Sequence, residues 1–265
     1  MNIFQAIILG IVQGATEFLP VSSSGHLLLF EQAFHVQENQ ILFYTIMLHV
    51  GSLLAVIWVF RWDIISILSH PTKKPFIYLV IATIPGALVG VALGSKVNAL
   101  FGSGSLLGPA FLLTAIVLTA SEQVKTKELK FEDSSYKTPV IAGIFQAVAA
   151  VFPGLSRSGS TIAGGLISGL SRSSAARFSF LMSIPIIIGS AAVDIKDVAS
   201  GGIGDNIMWG SVLVCIVVSA AVSFVAIDFL LKFIRKHKMY GFAIYTAVLG
   251  ALVLLDQNVL HLVFK

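Results

Sequence analysis

The sequence predicts an all-α polytopic membrane protein with an inverted-topology repeat, made of six transmembrane helices and two re-entrant helix–loop–helix hairpins. Only 11% of the 265 residues are charged and 56% are hydrophobic, and the mean hydropathy is +0.92. Six apolar stretches have about the length of a membrane span, and two further apolar regions are interrupted in the middle. A soluble or disordered protein is excluded, because so few charges do not cover the surface of a soluble fold. The single cysteine, Cys215, excludes a disulfide framework.

The six predicted spans contain no Lys, Arg, Asp or Glu. A helix needs about 20 predominantly apolar residues to cross the hydrocarbon core of a bilayer. The stretches that reach or approach this length are residues 41–60, 76–95, 105–121, 178–193, 207–227 and 239–255. They are continuously apolar rather than alternating, which favours helices over the strands of a barrel.

The two interrupted regions, residues 2–30 and 138–170, are predicted to be the hairpins. The first is broken by the polar segment 20–26, and the second by the segment 153–161. Proline, glycine and serine in these segments end one helix and begin another, and each half is too short to cross a membrane. Broken backbone at membrane depth is tolerated only where it is buried in protein or faces a wet cavity. We therefore expect both segments to lie inside the protein.

The two hairpins resemble each other, which predicts a tandem duplication. Gly10, Gln13 and Pro20 match Gly143, Gln146 and Pro153 at a constant offset, and after a one-residue insertion Ser22, Ser24 and Gly25 match Ser156, Ser158 and Gly159. The offset is about half the chain length. The predicted organisation is one membrane domain with a first repeat at residues 1–121, a linker at 122–137 and a second repeat at 138–265. Three crossings in each repeat turn the second repeat upside down relative to the first.

The distribution of basic residues sets the expected orientation, because cytoplasmic loops are enriched in Lys and Arg. The loops on one side carry Arg61, Lys73, Lys74, Lys125, Lys127, Lys130, Lys137, Arg172, Arg177, Lys232, Arg235, Lys236 and Lys238. The other side carries Lys96, Lys196 and Lys265. We expect the first side to be cytoplasmic, the linker 122–137 to lie there, and both termini to be external. The first hairpin then enters from outside and the second from the cytoplasm, so that their tips meet near the midplane.

Polar residues at the two tips have the chemistry of a phosphate site. The first tip carries Glu17, Ser22, Ser23, Ser24 and His26, and the second carries Ser156, Arg157, Ser158, Ser160 and Thr161. Ionisable groups at membrane depth are costly and are functional candidates. Helix N-termini and hydroxyls favour an anion, and an arginine binds two phosphate oxygens at once. The alternative is a structural ion pair between Glu17 and Arg157, which does not account for the serines at both tips.

The two tips differ in a way that favours hydrolysis over simple phosphate binding. Glu17 aligns with Ala150, Ser23 with Arg157 and His26 with Ser160, so one tip holds a carboxylate, a hydroxyl and an imidazole while the other holds a cation and hydroxyls. An acid–base pair beside a potential nucleophile suggests a hydrolase. The segment from Gly154 to Thr161 also approaches a P-loop, but it lacks the lysine and a preceding strand, so an NTPase is disfavoured.

Both tip motifs resemble those of the undecaprenyl-diphosphate phosphatase family of bacitracin-resistance proteins. The matching residues are Gln13-x-x-x-Glu17-Phe18-Leu19-Pro20-x-Ser22-Ser23-Ser24-Gly25-His26 and Pro153-Gly154-x-Ser156-Arg157-Ser158-Gly159-x-Thr161. The resemblance covers the whole chain. It implies a multi-pass enzyme of the bacterial plasma membrane that hydrolyses undecaprenyl diphosphate to undecaprenyl phosphate and phosphate, which recycles the lipid carrier of cell-wall synthesis and confers bacitracin resistance. It also implies a site open to the outer side, a homodimer and activation by a divalent cation.

Residue roles follow from combining the resemblance with the chemistry of the tips. Ser23 is the candidate nucleophile, with direct attack by water as the alternative, and His26 is the candidate acid or base, oriented by Glu17. The candidate phosphate-binding residues are Ser22, Ser156, Arg157, Ser158 and Thr161. A divalent cation, Mg²⁺ or Ca²⁺, would bind Glu17 and, more weakly, Gln13. Gln13 stands where many family members have a second glutamate, which weakens a two-carboxylate metal site.

Two other classes of protein share parts of this pattern. A transporter or flippase for a phosphorylated lipid would use the same inverted repeat, and a structural membrane scaffold would need no phosphate chemistry. The asymmetric set of Glu17, Ser23 and His26 favours the hydrolase. The expected partners are a polyprenyl diphosphate lipid, the membrane and a second copy of the chain, with neither nucleic acid nor an organic cofactor. His49, in the middle of the first span, is interpreted as a hydrogen-bonded packing residue.

Overall fold

The computed structural model describes residues 1–34, 36, 38–102, 104–125, 127–152, 154–201 and 207–264. Pro153, the expected helix breaker of the second hairpin, and Lys265 lie outside these residues, as do the side chains of Lys96 and Lys196. The described residues form eleven α-helices: α1 (Ile3–Thr16), α2 (Ser23–Ala33), α3 (Glu38–Val59), α4 (Arg61–Leu68), α5 (Lys74–Gly102), α6 (Leu107–Ser121), α7 (Lys137–Val151), α8 (Arg157–Ile167), α9 (Arg172–Gly201), α10 (Trp209–Lys236) and α11 (Tyr240–Leu255).

Each interrupted region folds into two short helices separated by a turn, as predicted. α1 and α2 form the first hairpin, and α7 and α8 the second. The second helix of each hairpin begins in the same way, because the Ser22 hydroxyl accepts the Gly25 N–H and the Ser156 hydroxyl accepts the Gly159 N–H. Such N-caps satisfy donors that the first turn of a helix leaves free. The serine and glycine pairs that match in sequence therefore occupy equivalent positions in the structure.

The prediction of an all-α polytopic membrane protein is confirmed. Among the described residues, five helices are long and apolar enough to cross a membrane, at Ile41–Val59, Lys74–Gly94, Arg172–Ile195, Trp209–Lys236 and Tyr240–Leu260. The remaining predicted span, residues 105–121, corresponds to α6, which has 15 residues. At 1.5 Å per residue α6 is about 22 Å long, shorter than a bilayer core of about 30 Å. The count of six spans therefore stays a prediction.

The two halves pack reciprocally. α1 of the first hairpin packs against α10, and α7 of the second hairpin packs against α5, while α6 packs against α11. Glycines permit these close contacts: a Cβ at Gly14 would lie 2.7 Å from the Ser219 carbonyl oxygen, and one at Gly143 would lie 2.9 Å from the Ala82 carbonyl oxygen. Each hairpin thus rests on a long helix of the other half. The duplication itself stays a prediction.

The loops that carry most of the basic residues gather at one end of the molecule. There the Arg172 guanidinium pairs with the fully buried Glu122 carboxylate, which also accepts the Met239 N–H at 2.8 Å. At the same end Arg177 bridges Asp63 and Glu132. The short helix α4, which was not predicted, belongs to this end.

Candidate active site

The two hairpin tips meet around a cavity of about 320 Å³. Most of the side chains predicted for the site line it: Glu17, Ser22 and Ser23 from the first tip, and Ser156, Arg157 and Ser158 from the second. Ser24, His49 and Gln146 line it as well, together with residues of α5 and α9. The meeting of the tips, which was expected from the opposed entry of the hairpins, is therefore confirmed, and it brings together residues more than 130 positions apart in the chain.

Glu17 is the centre of the polar contacts. Its Oε2 accepts the Ser23 hydroxyl at 2.6 Å and the Gln13 side-chain amide at 3.0 Å, and its Oε1 accepts Arg157 Nη2 at 2.5 Å. His49 Nε2 lies 3.7 Å from the same Oε2. Only 4% of the Glu17 side chain is exposed. A carboxylate buried this deeply needs such donors, because taking its charge out of water is costly.

Arg157 joins the two tips through an ion pair that engages only one of its two terminal nitrogens. It is the first residue of α8, directly after the N-cap Ser156, and its Nη2 bonds Glu17. Its Nη1 is buried and has no hydrogen-bond partner in the part of the chain that the structure describes. A buried unsatisfied donor on a charged group is costly and calls for an explanation. The ion pair weighed as a structural alternative is present, but it leaves this second nitrogen unexplained.

Several serines of the cavity stabilise the conformation of the two tips. Ser22 and Ser156 cap α2 and α8, and the Ser158 hydroxyl donates to the Leu19 carbonyl at 2.9 Å, which ties one tip to the other. The Ser22 backbone has a φ of +73°, a region that non-glycine residues rarely adopt and that is enriched at functional sites. Ser23 is only partly buried, and its hydroxyl bonds the central carboxylate.

The expected orientation of His26 by Glu17 is wrong. His26 Nδ1 contacts the Ser22 carbonyl oxygen at 2.7 Å, and Nε2 contacts the Tyr245 hydroxyl at 2.7 Å. The ring is buried against Tyr245 of α11 and is not among the residues that line the cavity. Both ring nitrogens already have hydrogen-bond partners, at Ser22 and Tyr245, so neither is available to Glu17. His26 therefore braces the backbone before Ser23 instead of touching Glu17.

Thr161, which was predicted to bind phosphate, lies outside the cavity lining. The Thr161 hydroxyl donates to the Arg157 carbonyl at 2.9 Å and lies 2.6 Å from the Ser179 hydroxyl. It is buried and outside the cavity lining. A threonine one turn into a helix bonds the carbonyl four residues earlier, which turns its hydroxyl away from the N-terminus. Thr161 fixes the first turn of α8 and its contact with α9.

Few side-chain ligands for a divalent cation lie together at the cavity among the described residues. Gln13 is buried behind Glu17, and its amide nitrogen donates to the carboxylate, so the oxygen of Gln13 is the only atom it has left for a ligand. In the described part of the chain, no group of three His, Cys, Asp or Glu side chains is close enough to hold a metal ion. Divalent cations such as Mg²⁺ prefer several oxygen ligands. The described His, Cys, Asp and Glu side chains therefore do not form a resident metal site by themselves.

His49 is the site residue that sequence reasoning missed. It was interpreted as a packing residue, but it lines the cavity, a quarter of its side chain is exposed, and its Nε2 faces Glu17. The signal that could have identified it is its position, because an ionisable residue in the middle of a span is a functional candidate. Its distance to Glu17 was not predictable, since the two residues lie on different helices.

An apolar groove of about 560 Å³ lies beside the polar cavity, between α3, α4, α5 and α9. Its lining is hydrocarbon except for Thr83. The two spaces share the same pair of helices: Gly86 of α5 lines the cavity and Ala87 the groove, and Ile187 of α9 lines the cavity and Ile188 the groove. A polar chamber and an apolar channel thus lie on adjacent faces of α5 and α9.

Comparisons with known proteins identify relatives that match nearly the whole chain. The model of a family described as bacitracin resistance protein BacA matches residues 6–252. A protein of Carboxydothermus hydrogenoformans named undecaprenyl-diphosphatase is 38% identical over 260 residues, covering 97% of this chain and 98% of the relative. A protein of the same name from Methanobrevibacter smithii is 41% identical over 285 residues, covering 99% and 100%. A third, from Alkaliphilus metalliredigens, is 39% identical over 274 residues, covering 96% and 98%.

Proposed function

Because the chain belongs to the bacitracin resistance protein BacA family, we propose that it hydrolyses undecaprenyl diphosphate to undecaprenyl phosphate and inorganic phosphate. It is a multi-pass membrane protein and a hydrolase that acts on a lipid diphosphate. The reaction regenerates the lipid carrier of cell-wall synthesis, and bacitracin resistance follows from it. Support comes from matches over nearly the full length of the relatives and from the cavity between the tips.

The free nitrogen of Arg157 is the observation that carries the assignment of the substrate site. Arg157 Nη1 is buried, charged and without a partner among the described residues, beside a cavity lined by serine hydroxyls. A phosphate oxygen supplies the missing acceptor, and the guanidinium fork matches two phosphate oxygens. The first turns of α2 and α8 add N–H donors for the same anion. The diphosphate therefore binds with its terminal phosphate against Arg157.

Ser23 and Glu17 form the reacting pair of this proposal. The Ser23 hydroxyl already donates to Glu17 Oε2 at 2.6 Å, so the carboxylate is placed to take the proton as the oxygen attacks. A bond forms between Ser23 Oγ and the terminal phosphorus, and the bond to the bridging oxygen breaks, releasing undecaprenyl phosphate. Water then attacks the phosphoserine and releases phosphate. Arg157 stabilises the charge on the phosphoryl oxygens in both steps. Direct attack by a water bound to Glu17 remains the alternative.

The divalent cation enters this proposal only with the substrate. Because the described His, Cys, Asp and Glu side chains form no group of three, a Mg²⁺ or Ca²⁺ ion would be held mainly by the diphosphate oxygens, with the Glu17 carboxylate of the cavity lining as a protein ligand. No step of the reaction above depends on it.

The apolar groove is the proposed place for the prenyl chain. A diphosphate bound at Arg157 leaves its chain to exit between helices, and the groove adjoins the cavity along α5 and α9. Its hydrocarbon lining suits a polyprenyl chain, since each buried CH₂ contributes about 0.8 kcal/mol. The polar head and the apolar tail would then occupy adjacent faces of the same two helices.

The orientation and the assembly are parts of the proposal as well. The basic loops that gather at one end face the cytoplasm of a bacterial plasma membrane, both termini face outward, and the cavity opens to the outer side. The homodimer rests on the family resemblance alone.

One experiment separates the hydrolase from the transporter or flippase that the reciprocal halves would also suit. Purified protein in detergent micelles is given undecaprenyl diphosphate, and phosphate release is measured. Micelles have no two sides, so transport contributes nothing. Release that saturates with substrate supports the hydrolase, and its absence in folded protein contradicts it.

A further inference from the structure

The end of α10 carries a second groove, separate from the polar cavity between the tips. This α10 groove has a volume of about 540 Å³, and its lining includes Phe229, Lys232, Phe233, Lys236 and His237. We propose that the α10 groove binds an anionic phospholipid, with the lipid phosphate against the two lysines and the upper part of an acyl chain along the two phenylalanines. The inference does not depend on the proposed reaction, because these residues lie outside the cavity lining.

The charge pattern of α10 puts the groove at the level of the lipid headgroups. Residues 209–227 are uncharged and extend about 28 Å at 1.5 Å per residue, close to the hydrocarbon core of about 30 Å. The rest of α10, from Asp228 to Lys236, therefore lies at or beyond the edge of the core. At this depth lysine stems lie along apolar surface while their charged ends reach the headgroups. The phosphate of a phospholipid is the anion that the membrane itself supplies there.

The α10 groove has more positive charge than the protein neutralises. Asp228 is the only acidic residue between positions 225 and 238. It pairs with Lys232 at 2.6 Å, but the two side chains are 55% and 74% exposed, so the pair is weak. Lys236 has no ion-pair partner among the residues that the structure describes. Arg172 and Arg177, at the same end of the molecule, are by contrast paired with carboxylates. An external anion would balance the lysines of α10.

The aromatic rings give the α10 groove a floor that suits an acyl chain. The ring centres of Phe229 and Phe233 lie 5.6 Å apart, and His237 continues the row at 5.0 Å from Phe233. Phe242 of α11 packs against Phe233 at 5.3 Å and fixes it. Because the three rings recur at every fourth residue, they form one strip along the helix. An apolar strip that leads to lysines matches a phospholipid, whereas a free phosphate ion would use the lysines alone.

The sign of the charge favours an anionic lipid over a zwitterionic one. Basic pockets at the ends of membrane helices bind anionic headgroups, and each lysine or arginine close to such lipids contributes roughly fivefold to binding. The ammonium group of phosphatidylcholine would instead lie beside Lys232 and Lys236 and be repelled by them. The α10 groove should therefore discriminate between lipids that have the same acyl chains and different headgroup charges.

The test compares dioleoylphosphatidylglycerol with dioleoylphosphatidylcholine. Full-length protein in a neutral detergent is titrated with each lipid, and the bound lipid is counted by native mass spectrometry. Lys232→Gln/Lys236→Gln should weaken phosphatidylglycerol binding about 30-fold, with phosphatidylcholine binding and Tm close to wild type. Lys232→Arg/Lys236→Arg keeps both charges and should retain the preference for phosphatidylglycerol.

A matched pair of lysines separates the α10 groove from a general effect of net charge. Lys73→Gln/Lys130→Gln removes the same charge from exposed positions outside the groove and should bind both lipids like the wild type. An equal loss in the two glutamine variants would overturn the inference, and so would phosphatidylglycerol binding that the Lys232→Gln/Lys236→Gln variant leaves unchanged. Displacement of the lipid by an equal concentration of inorganic phosphate would also overturn it, since the groove would then bind a free anion.

Discussion

Glu17 and Arg157, 140 residues apart in the chain, meet where the two hairpin tips touch, with Oε1 and Nη2 2.5 Å apart. Each of the two residues engages only one of its terminal atoms in this pair. Glu17 keeps Oε2 for Ser23 and His49, and Arg157 keeps a buried Nη1. A purely structural pair would be expected to satisfy both ends, because unpaired buried charge is costly. The geometry is that of a site awaiting an anion, in which a phosphate would engage Arg157 while Glu17 stays beside the hydroxyl.

Replacement of Arg157 by lysine should reduce kcat/KM by about 10-fold to 100-fold, because lysine keeps the charge but loses the fork that binds two oxygens. Steady-state kinetics and Tm are measured together, and Tm should change little. Arg235→Lys, at an exposed position of α10, is the matched control and should leave kcat/KM and Tm unchanged. Near-normal turnover of Arg157→Lys would contradict the clamp and leave a general electrostatic role.

Removal of the Ser23 hydroxyl distinguishes the two mechanisms. If Ser23 attacks phosphorus, Ser23→Ala should lose nearly all activity, and rapid quenching of the wild type with substrate labelled in the terminal phosphate should trap label on Ser23. If water attacks, the hydroxyl only donates a hydrogen bond, and its loss costs roughly 10²–10³ in rate. Ser24→Ala is the control, since Ser24 lines the cavity but has no described bond to Glu17. Burst-free kinetics with clear residual activity would support the water mechanism.

Filling the apolar groove should raise KM only for substrates with a long prenyl chain. Ala87→Trp places a large side chain in the groove beside Gly86. We expect KM for undecaprenyl diphosphate to rise about tenfold, equivalent to roughly two buried CH₂ groups, while KM for farnesyl diphosphate changes little. Leu213→Trp, on an equally exposed apolar face of α10, controls for bulk at the lipid surface. Equal effects on the KM values of both substrates would contradict the placement of the prenyl chain in the groove.

The orientation is tested by cysteine labelling in intact cells whose outer surface is accessible. Cys215 is buried and gives little background. Ser135→Cys lies in the exposed part of the linker, whereas the neighbouring Ser134 is buried and unsuitable. A membrane-impermeant maleimide should label Asn258→Cys, near the C-terminus, in intact cells, and Ser135→Cys only after lysis. The reverse pattern would invert the proposed topology.

The hairpins and the meeting of their tips were predictable because the signals are local. Proline, glycine and serine break the apolar regions, and the predicted three crossings in each repeat would make the two tips approach from opposite sides. The N-caps at Ser22 and Ser156 follow from the same local chemistry. The breaks and N-caps therefore depend on neighbouring residues, and the meeting of the tips depends on whether the predicted number of crossings is odd. Both can be read from a single sequence.

The side-chain partners of the site were not predictable, because they depend on packing between distant helices. His26 contacts Tyr245, 219 residues away, and this contact withdraws it from Glu17. Thr161 was misplaced because the direction of its hydroxyl depends on where α8 begins. His49 approaches Glu17 because α3 passes beside the first tip, and nothing in the apolar sequence around it indicates that contact.

The most direct test of the account is phosphate release by detergent-purified protein that carries Glu17→Gln. Glutamine keeps the size of the side chain, but its amide has one acceptor oxygen where the carboxylate uses two, for Ser23 and Arg157, and it does not take a proton. Loss of general-base catalysis alone costs roughly 10²–10⁴ in rate. The account predicts one phosphate released per undecaprenyl diphosphate by the wild-type protein, and a fall of at least about 100-fold in a folded Glu17→Gln variant. Near wild-type release by that variant would contradict hydrolysis at this cavity.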